Sequence, residues 1–152
     1  MHKNFTSMIR SFLILSALTL CAITTLAQNN PIVGNWKTVD DKTGNSFSVV
    51  KIYKGNDGLY YGKIDKMLVG PAHLKCEQCE GEDHNQPLEG LVIIRGMHYE
   101  DGELRGGKVL DPESGKFYYG KIFLRDGKLV LRGSLDKRGL LGRNQTWIKA
   151  DY

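Results

Sequence analysis

The sequence lacks any stretch with the period of an ordinary amphipathic helix, which favours an all-β chain. It has no GxSxG nucleophile elbow. It has no phosphate-binding loop either, since no Gly stands five residues before Gly115 and neither Ser nor Thr follows Lys116. His73, His84 and His98 have no paired nucleophile. We therefore expect that the protein is not an enzyme.

A concentrated basic cluster is also missing. Lys3 and Arg10 belong to the N-terminal leader described below, and without them the 21 basic and 17 acidic residues leave a net charge of about +2. Nucleic-acid-binding domains usually show a basic face with aromatic residues among the cations. The aromatic residues of this chain lie instead in strand-like segments, where they more often form core. We therefore expect no nucleic-acid partner.

The first 27 residues have the pattern of a secretory signal peptide. Met1–Arg10 carries positive charge without acid, Ser11–Leu26 is almost wholly apolar, and Ala27 ends a small-residue cleavage site. A transmembrane segment is a weaker interpretation, because Ser and Thr interrupt the apolar run and no charge cluster follows it. Lipid attachment at Cys21 is weaker too, because no small residue precedes it. We therefore expect one domain, residues 28–152, exported to the periplasm or the extracellular space.

Eight segments show the two-residue alternation of β-strands, and tight turns such as Asp126–Gly127 separate most of them. Asp111–Gly115 is predicted to be a turn in which Gly115 takes a positive φ. The predicted strands are Ile32–Val39, Ser46–Tyr53, Leu59–Leu68, Leu91–Tyr99, Leu104–Leu110, Lys116–Arg125, Lys128–Leu135 and Arg143–Lys149. Sequential hairpins favour an antiparallel up-and-down meander, and closure of about eight strands into a small barrel removes both exposed edges. An open or two-sheet sandwich is the alternative.

Residues 70–89 interrupt this rhythm as one long loop. It holds Cys76 and Cys79, and in an oxidising compartment a disulfide between them is the plain interpretation. A zinc site that adds His73 and His84 is an alternative, although its spacing matches no standard finger. Redox catalysis has less support, because no helix N-terminus is predicted to lower a thiol pKa. The following strand is apolar on both faces, which suggests that the loop covers its outer side.

Tyrosine and basic side chains form polar tips on several otherwise apolar strands, as a small-molecule pocket with a few directing groups requires. The candidates are Tyr60 or Tyr61 with Lys63, Tyr118 or Tyr119 with Lys121, and Arg132. Alternation alone also explains Lys121 and Arg132 as residues on the outer, hydrated face. Both interpretations stay open at this point.

An ordered set of motifs resembles a bacterial family. The motifs are Gly34-Asn35-Trp36, Cys76-x-x-Cys79, Pro87–Leu91, Gly106–Pro112 with Gly115, Lys116 and Tyr118, Arg132-Gly133, and Gly142-Arg143 with Trp147. Together they resemble the exported proteins of the domain-of-unknown-function family 2147 (DUF2147) over essentially the whole expected mature chain. The resemblance implies a small β-barrel in the cell envelope and implies no particular activity.

The opening Gly34-x-Trp36 with a late Arg also resembles the lipocalin and fatty-acid-binding barrels. In those proteins such a Trp and a basic residue near the last strand pack across the closed end of the barrel. The resemblance implies that Trp36 packs against Arg132 or Arg143, which is a structural role and identifies no ligand.

These observations favour a barrel that holds a small apolar or amphipathic ligand at its mouth. The candidate ligand-binding residues are Trp36, Tyr61, Lys63, Tyr118, Lys121, Arg132 and Arg143. The alternative is a packed barrel that acts through its outer surface or its cysteine loop, as a protein-interaction or structural module of the cell envelope. We expect neither a cofactor nor a bound metal, and no membrane span in the mature chain.

Overall fold

The computed structural model describes residues 30–40, 43–71 and 73–151. The predicted signal peptide, its cleavage site and Cys21 lie outside these residues. Eight strands follow one another: β1 (Gly34–Val39), β2 (Ser46–Lys54), β3 (Tyr60–Met67), β4 (Val92–Glu100), β5 (Glu103–Asp111), β6 (Lys116–Arg125), β7 (Lys128–Ser134) and β8 (Gly142–Lys149). In this part of the chain the helical structure is a single 3₁₀ turn, Gly81–Asp83. None of its helices has the length and apolar character needed to span a bilayer.

Each strand pairs antiparallel with the next, and β1 also pairs with β8 through Trp36 and Lys149. The sheet is therefore closed, which confirms the predicted all-β barrel and rules out the open sandwich. The tight turns drive this order, because a two-residue loop such as Asp126–Gly127 forces its two strands to be neighbours. Both residues of that turn have positive φ, as a primed hairpin turn requires.

Large apolar side chains fill the middle of the barrel. Six inward-facing residues have no exposed surface: Ile52, Ile94, Met97, Leu104, Ile122 and Leu129. The Met97 side chain reaches across Gly107 and Gly120, where a β-carbon would collide with it. Since none of these side chains borders a space that a water molecule could enter, a ligand has no room in the centre of the barrel.

The two ends of the barrel differ. The terminal end carries residues 30–33, residues 150–151 and the short hairpin turns, while the loop end carries the connections from β1 to β2, β3 to β4, β5 to β6 and β7 to β8. Residues 30–33 close the terminal end. Ile32 has no exposed surface, and its carbonyl oxygen accepts the Nε1–H of Trp36 at 2.8 Å. The terminal end is therefore closed by the chain itself, and the loop end is the end to examine for a ligand site.

The long connection, residues 68–91, folds back on the outer side of the sheet, as predicted. Arg95, on the outer face of β4, donates to Asp83 of this connection at 2.8 Å. Cys76 and Cys79 form a disulfide, and the Cys76 sulfur lies 3.5 Å from the carbonyl oxygen of Pro112. The two cysteines therefore pack against the β5–β6 turn as part of the buried apolar cluster.

We expect the double variant Cys76→Ser/Cys79→Ser to lower the free energy of unfolding by about 2 kcal/mol or less, because so short a loop constrains little chain entropy. Urea unfolding with and without reductant measures this difference. Amide hydrogen exchange should meanwhile quicken at Cys76 and Asn85, whose backbone N–H groups bond within the loop. A loss of the whole barrel on reduction would contradict the expectation.

Candidate ligand site at the loop end of the barrel

Strand register sorts the seven predicted site residues by face. Directly opposed residues on neighbouring strands point to the same side of a sheet, and successive residues alternate. Three of the seven thereby lie on the inner face: Trp36, Tyr118 and Arg143. The other four lie on the outer face: Tyr61, Lys63, Lys121 and Arg132. The structure therefore does not bring the seven residues together.

Tyr61 and Lys63 have local partners on the outer face of β3. The Tyr61 hydroxyl donates to Asp57 Oδ2 at 2.6 Å, and its ring stacks on Tyr53 with the ring centres 6.0 Å apart. This hydrogen bond lowers the pKa of Asp57 below its usual range and raises that of Tyr61 above its own. Lys63 lies 3.7 Å from the Asp65 carboxylate. These contacts strengthen the hairpin locally.

Lys121 and Arg132 are also occupied outside the barrel. The Lys121 ammonium group lies 2.9 Å from Glu103 Oε2. Arg132 donates through Nε to the Gly139 carbonyl at 2.8 Å and through a terminal nitrogen to Asn144 Oδ1 at 3.0 Å. Arg132 thus holds the 135–141 connection in place, and the interpretation of both side chains as outward-facing agrees with the register.

Trp36 belongs to the core and is 2 % exposed. The cation over its ring is Lys149, whose Nζ lies 4.4 Å from the ring centre, whereas Arg132 and Arg143 lie on other parts of the barrel. The prediction of an arginine partner was therefore wrong. A basic residue at the end of the last strand does cover the tryptophan, but it is a lysine that the motif comparison did not single out.

Tyr118 and Arg143 both lie on the inner face near the loop end, on the two strands that flank β7. Gly133 pairs with Arg143 on β8 and with Gly120 on β6, two residues from Tyr118. A β-carbon at Gly133 would lie 3.5 Å from the Tyr118 β-carbon, an ordinary contact. Tyr118 is half-buried and Arg143 is exposed. Gly133 thus forms a side-chain-free floor between a phenol and a guanidinium group.

Gln145 and Met67 share this mouth of the barrel. Gln145 opposes the inward Leu131 and is exposed, and its Oε1 accepts the Trp147 Nε1–H at 3.3 Å. Met67 pairs with Ser48 on the neighbouring strand β2 and packs on the core. We define the mouth as Met67, Tyr118, Gly133, Arg143 and Gln145. No described residue forms an ion pair or hydrogen bond with the Arg143 guanidinium, so that cation remains available to an anionic group.

The sequence matches, over residues 34–149, the family model described as "Uncharacterized protein conserved in bacteria (DUF2147)". The chain belongs to this family. The matched range begins with the first residue of β1 and ends with the last residue of β8, so the DUF2147 match coincides with the barrel. The prediction from the ordered motifs is confirmed.

A solved structure gives the fold a second point of comparison. The barrel is similar to protein HP1028 from the human pathogen Helicobacter pylori, which is described as belonging to the lipocalin family. The TM-score is 0.68 at 23 % sequence identity, over 78 % of this chain and 82 % of that chain. At this identity the likeness concerns the fold. No curated protein matches the sequence.

The mouth of this DUF2147 barrel offers polar and apolar groups of four kinds. It combines one free cation, one phenol, one amide and a thioether. The cysteine loop offers no thiolate for zinc, because its sulfurs are bonded to each other, and His84 Nδ1 lies 2.9 Å from the Cys79 carbonyl oxygen. The described residues contain no group of three or more potential ligands placed to hold a metal ion.

Proposed function

We propose that this barrel is an exported binding protein whose mouth holds a small amphipathic molecule with an anionic head group. The observation that carries the proposal is the unpaired Arg143 guanidinium on the inner face, beside the Gly133 floor and the Tyr118 ring. A charge-assisted hydrogen bond from Arg143 would fix the head group. Tyr118 and Met67 would supply apolar contact to the rest of the ligand.

The packed centre sets the size of the bound portion. Since six inward side chains in the middle of the barrel have no exposed surface, the bound portion is placed in the shallow space at the loop end. A deeply enclosed ligand of lipocalin type is therefore not part of the proposal. The bound group is small, and any longer apolar tail lies outward across the loop end.

Export is part of the same proposal and has its own support. The leader pattern of residues 1–27 is typical of a secretory signal peptide. The Cys76–Cys79 disulfide fits an oxidising compartment. N-terminal sequencing of the protein isolated from its host envelope tests this step, and a chain that still began at Met1 in the cytoplasm would contradict it.

Decanoate is a suitable probe for the mouth, because it joins a carboxylate to an apolar chain. We expect ¹H–¹⁵N NMR spectra of the protein to shift at Tyr118, Gly133 and Arg143 during a decanoate titration. Arg143→Gln should weaken binding roughly tenfold or more, since it removes a hydrogen bond to a charged group. Arg125→Gln removes an exposed arginine at the terminal end and serves as the matched control.

Gly133→Val tests the floor independently of charge. The backbone at this strand position suits a β-branched residue, and the nearest contact to a new β-carbon is an ordinary one, so the barrel should fold. The valine methyl groups would fill the space between Tyr118 and Arg143 and abolish the decanoate shifts there. The proposal fails if the wild-type shifts lie outside the mouth, or if Arg143→Gln and Arg125→Gln bind decanoate equally.

A further inference from the structure

Three leucines at the loop end are the most exposed large apolar side chains of the described residues. Leu135, Leu140 and Leu141 are 69 %, 74 % and 68 % exposed, whereas the other exposed large apolar side chains lie between 38 % and 44 %. All three belong to the connection between β7 and β8, which we call the leucine loop (residues 135–141). Exposure of this extent means that the leucines project outward from the barrel instead of covering its mouth.

Hydrogen bonds hold the leucine loop in this projecting form. The Asp136 carboxylate accepts the backbone N–H groups of Leu141 at 2.8 Å and Leu140 at 3.1 Å, and these bonds lower the pKa of Asp136. Arg132 binds the Gly139 carbonyl oxygen from the other side. The Leu135 N–H donates to the Leu141 carbonyl oxygen at 2.9 Å. The loop is therefore built to present its leucines, although burying them would be favourable.

Other exposed apolar side chains lie at the same end of the barrel. Phe47, Leu68 and Val69 are 42 %, 38 % and 41 % exposed. The Leu68 N–H donates to the Phe47 carbonyl oxygen at 2.8 Å, which places these two segments side by side. The loop end therefore carries exposed apolar side chains on β2 and on the β3–β4 connection as well as on the leucine loop, and a cluster such as the leucine loop marks an interaction surface.

The charges of the leucine loop are positive. Lys137 and Arg138 stand between the leucines, are exposed and have no ion-pair partner among the described residues. The single acid of the loop, Asp136, is committed to the loop's own amides. Other acidic residues at this end lie on other connections, as Glu77, Glu80 and Glu82 of the long β3–β4 connection and Glu113 of the β5–β6 turn.

We propose that the leucine loop docks the barrel on an anionic phospholipid bilayer, with Leu135, Leu140 and Leu141 inserted among the acyl chains and Lys137 and Arg138 at the head groups. A projecting apolar tip between cations fits a lipid interface, where burial of apolar area and attraction to anionic lipid act together. The proposal goes beyond the ligand-binding function and does not depend on it. Its geometric consequence is that the mouth faces the membrane surface.

Vesicle sedimentation tests the docking with the protein purified from its own host. Wild-type protein should bind vesicles of phosphatidylglycerol and phosphatidylcholine in equal parts, and bind phosphatidylcholine alone much less. Leu140→Ser/Leu141→Ser should reduce the partition coefficient roughly tenfold or more, because it removes the inserted apolar area. Lys137→Glu/Arg138→Glu should reduce it at least roughly thirtyfold, since each cation near an anionic surface favours binding.

A charge-matched control shows whether weaker vesicle binding comes from the leucine loop itself or from the change in net charge. Arg125→Glu/Lys128→Glu makes the same change at the terminal end and should retain wild-type partitioning. Leu140→Trp should show a blue-shifted emission on adding the anionic vesicles if the loop inserts. Thermal unfolding should be unchanged in all these variants, because the altered side chains are exposed.

Absence of vesicle binding, or equal binding by wild type and the leucine double variant, would overturn the proposal. The former result would instead direct attention to a protein with an apolar groove as the partner of the loop. Decanoate binding distinguishes a failure of membrane docking from a failure of the proposed ligand-binding function. Gly133→Val should lose decanoate binding and keep vesicle binding, while Leu140→Ser/Leu141→Ser should do the reverse.

Discussion

Gly115→Ala should lower the free energy of unfolding by about 2–5 kcal/mol, from a left-handed backbone cost of about 1–2 and an overpacking cost of about 1–3. Gly115 has φ +68° in the β5–β6 turn, and an added β-carbon would overlap the carbonyl group of Gln78. The obstacle is backbone on both sides, so no side-chain rotation relieves it. The turn and the cysteine loop must separate, and urea unfolding should record the loss.

Gly127→Ala is the matched control for this effect. Gly127 has φ +72° in the β6–β7 turn, and nothing lies within 4 Å of an added β-carbon. Its replacement should cost only the backbone term of about 1–2 kcal/mol. The difference between the two variants measures the close approach of the cysteine loop to the β5–β6 turn. Equal losses would mean that the loop does not rest against Gly115 in solution.

The barrel was predictable because the turns state which strands are neighbours. Asp-Gly pairs and the Asp111–Gly115 turn divide the chain into runs whose alternation is clear, and β6 was predicted to the residue as Lys116–Arg125. The other strand ends agree with the prediction or differ from it by one or two residues, as at the start of β1, which is Gly34 instead of Ile32. The Ile32 side chain serves as a plug for the terminal end and not as part of a strand.

The mouth was less predictable because bulges shift the register. The alternation of β3 places Leu68 on the same face as Ile64, but the pairing slips between Val49 and Val50. As a result Met67, and not Leu68, opposes Ser48 and packs on the core. A one-residue shift exchanges the two faces of a strand, and no local sequence signal marks this one.

The prediction of which basic residues lie on the inner face was only partly right, for a related reason. Arg132 and Arg143 are adjacent to glycines in similar motifs, yet one lies outside the barrel and the other inside it. Their faces depend on which strand each residue occupies and on how the strands pair. The leucine loop could have been noticed from its three leucines in a polar link, but its exposure follows from the Asp136 and Arg132 hydrogen bonds.

Trp36→Ala should lower the free energy of unfolding by about 3–5 kcal/mol, because it removes a fully packed aromatic side chain from the terminal end. Trp36→Phe should retain most of the packing but leave the Ile32 carbonyl oxygen without its donor, at a cost of about 1–3 kcal/mol. The Lys149 ammonium group would also lie over a phenyl ring instead of an indole ring, and the indole ring attracts a cation more strongly. Thermal and urea unfolding measure both variants.

Trp147→Phe is the control for Trp36→Phe. It makes the same change in ring size without leaving a buried hydrogen-bond acceptor unpaired. Trp147 is as buried as Trp36, at 2 % exposure, but its Nε1–H donates to the side chain of exposed Gln145, which water can satisfy when the donor is lost. We therefore expect Trp36→Phe to cost more than Trp147→Phe. Amide exchange near residues 30–33 should quicken in the Trp36 variant alone. If the two Phe variants lost the same free energy of unfolding and the amides of residues 30–33 stayed protected from exchange, packing of Ile32 would close the barrel without the Trp36 hydrogen bond.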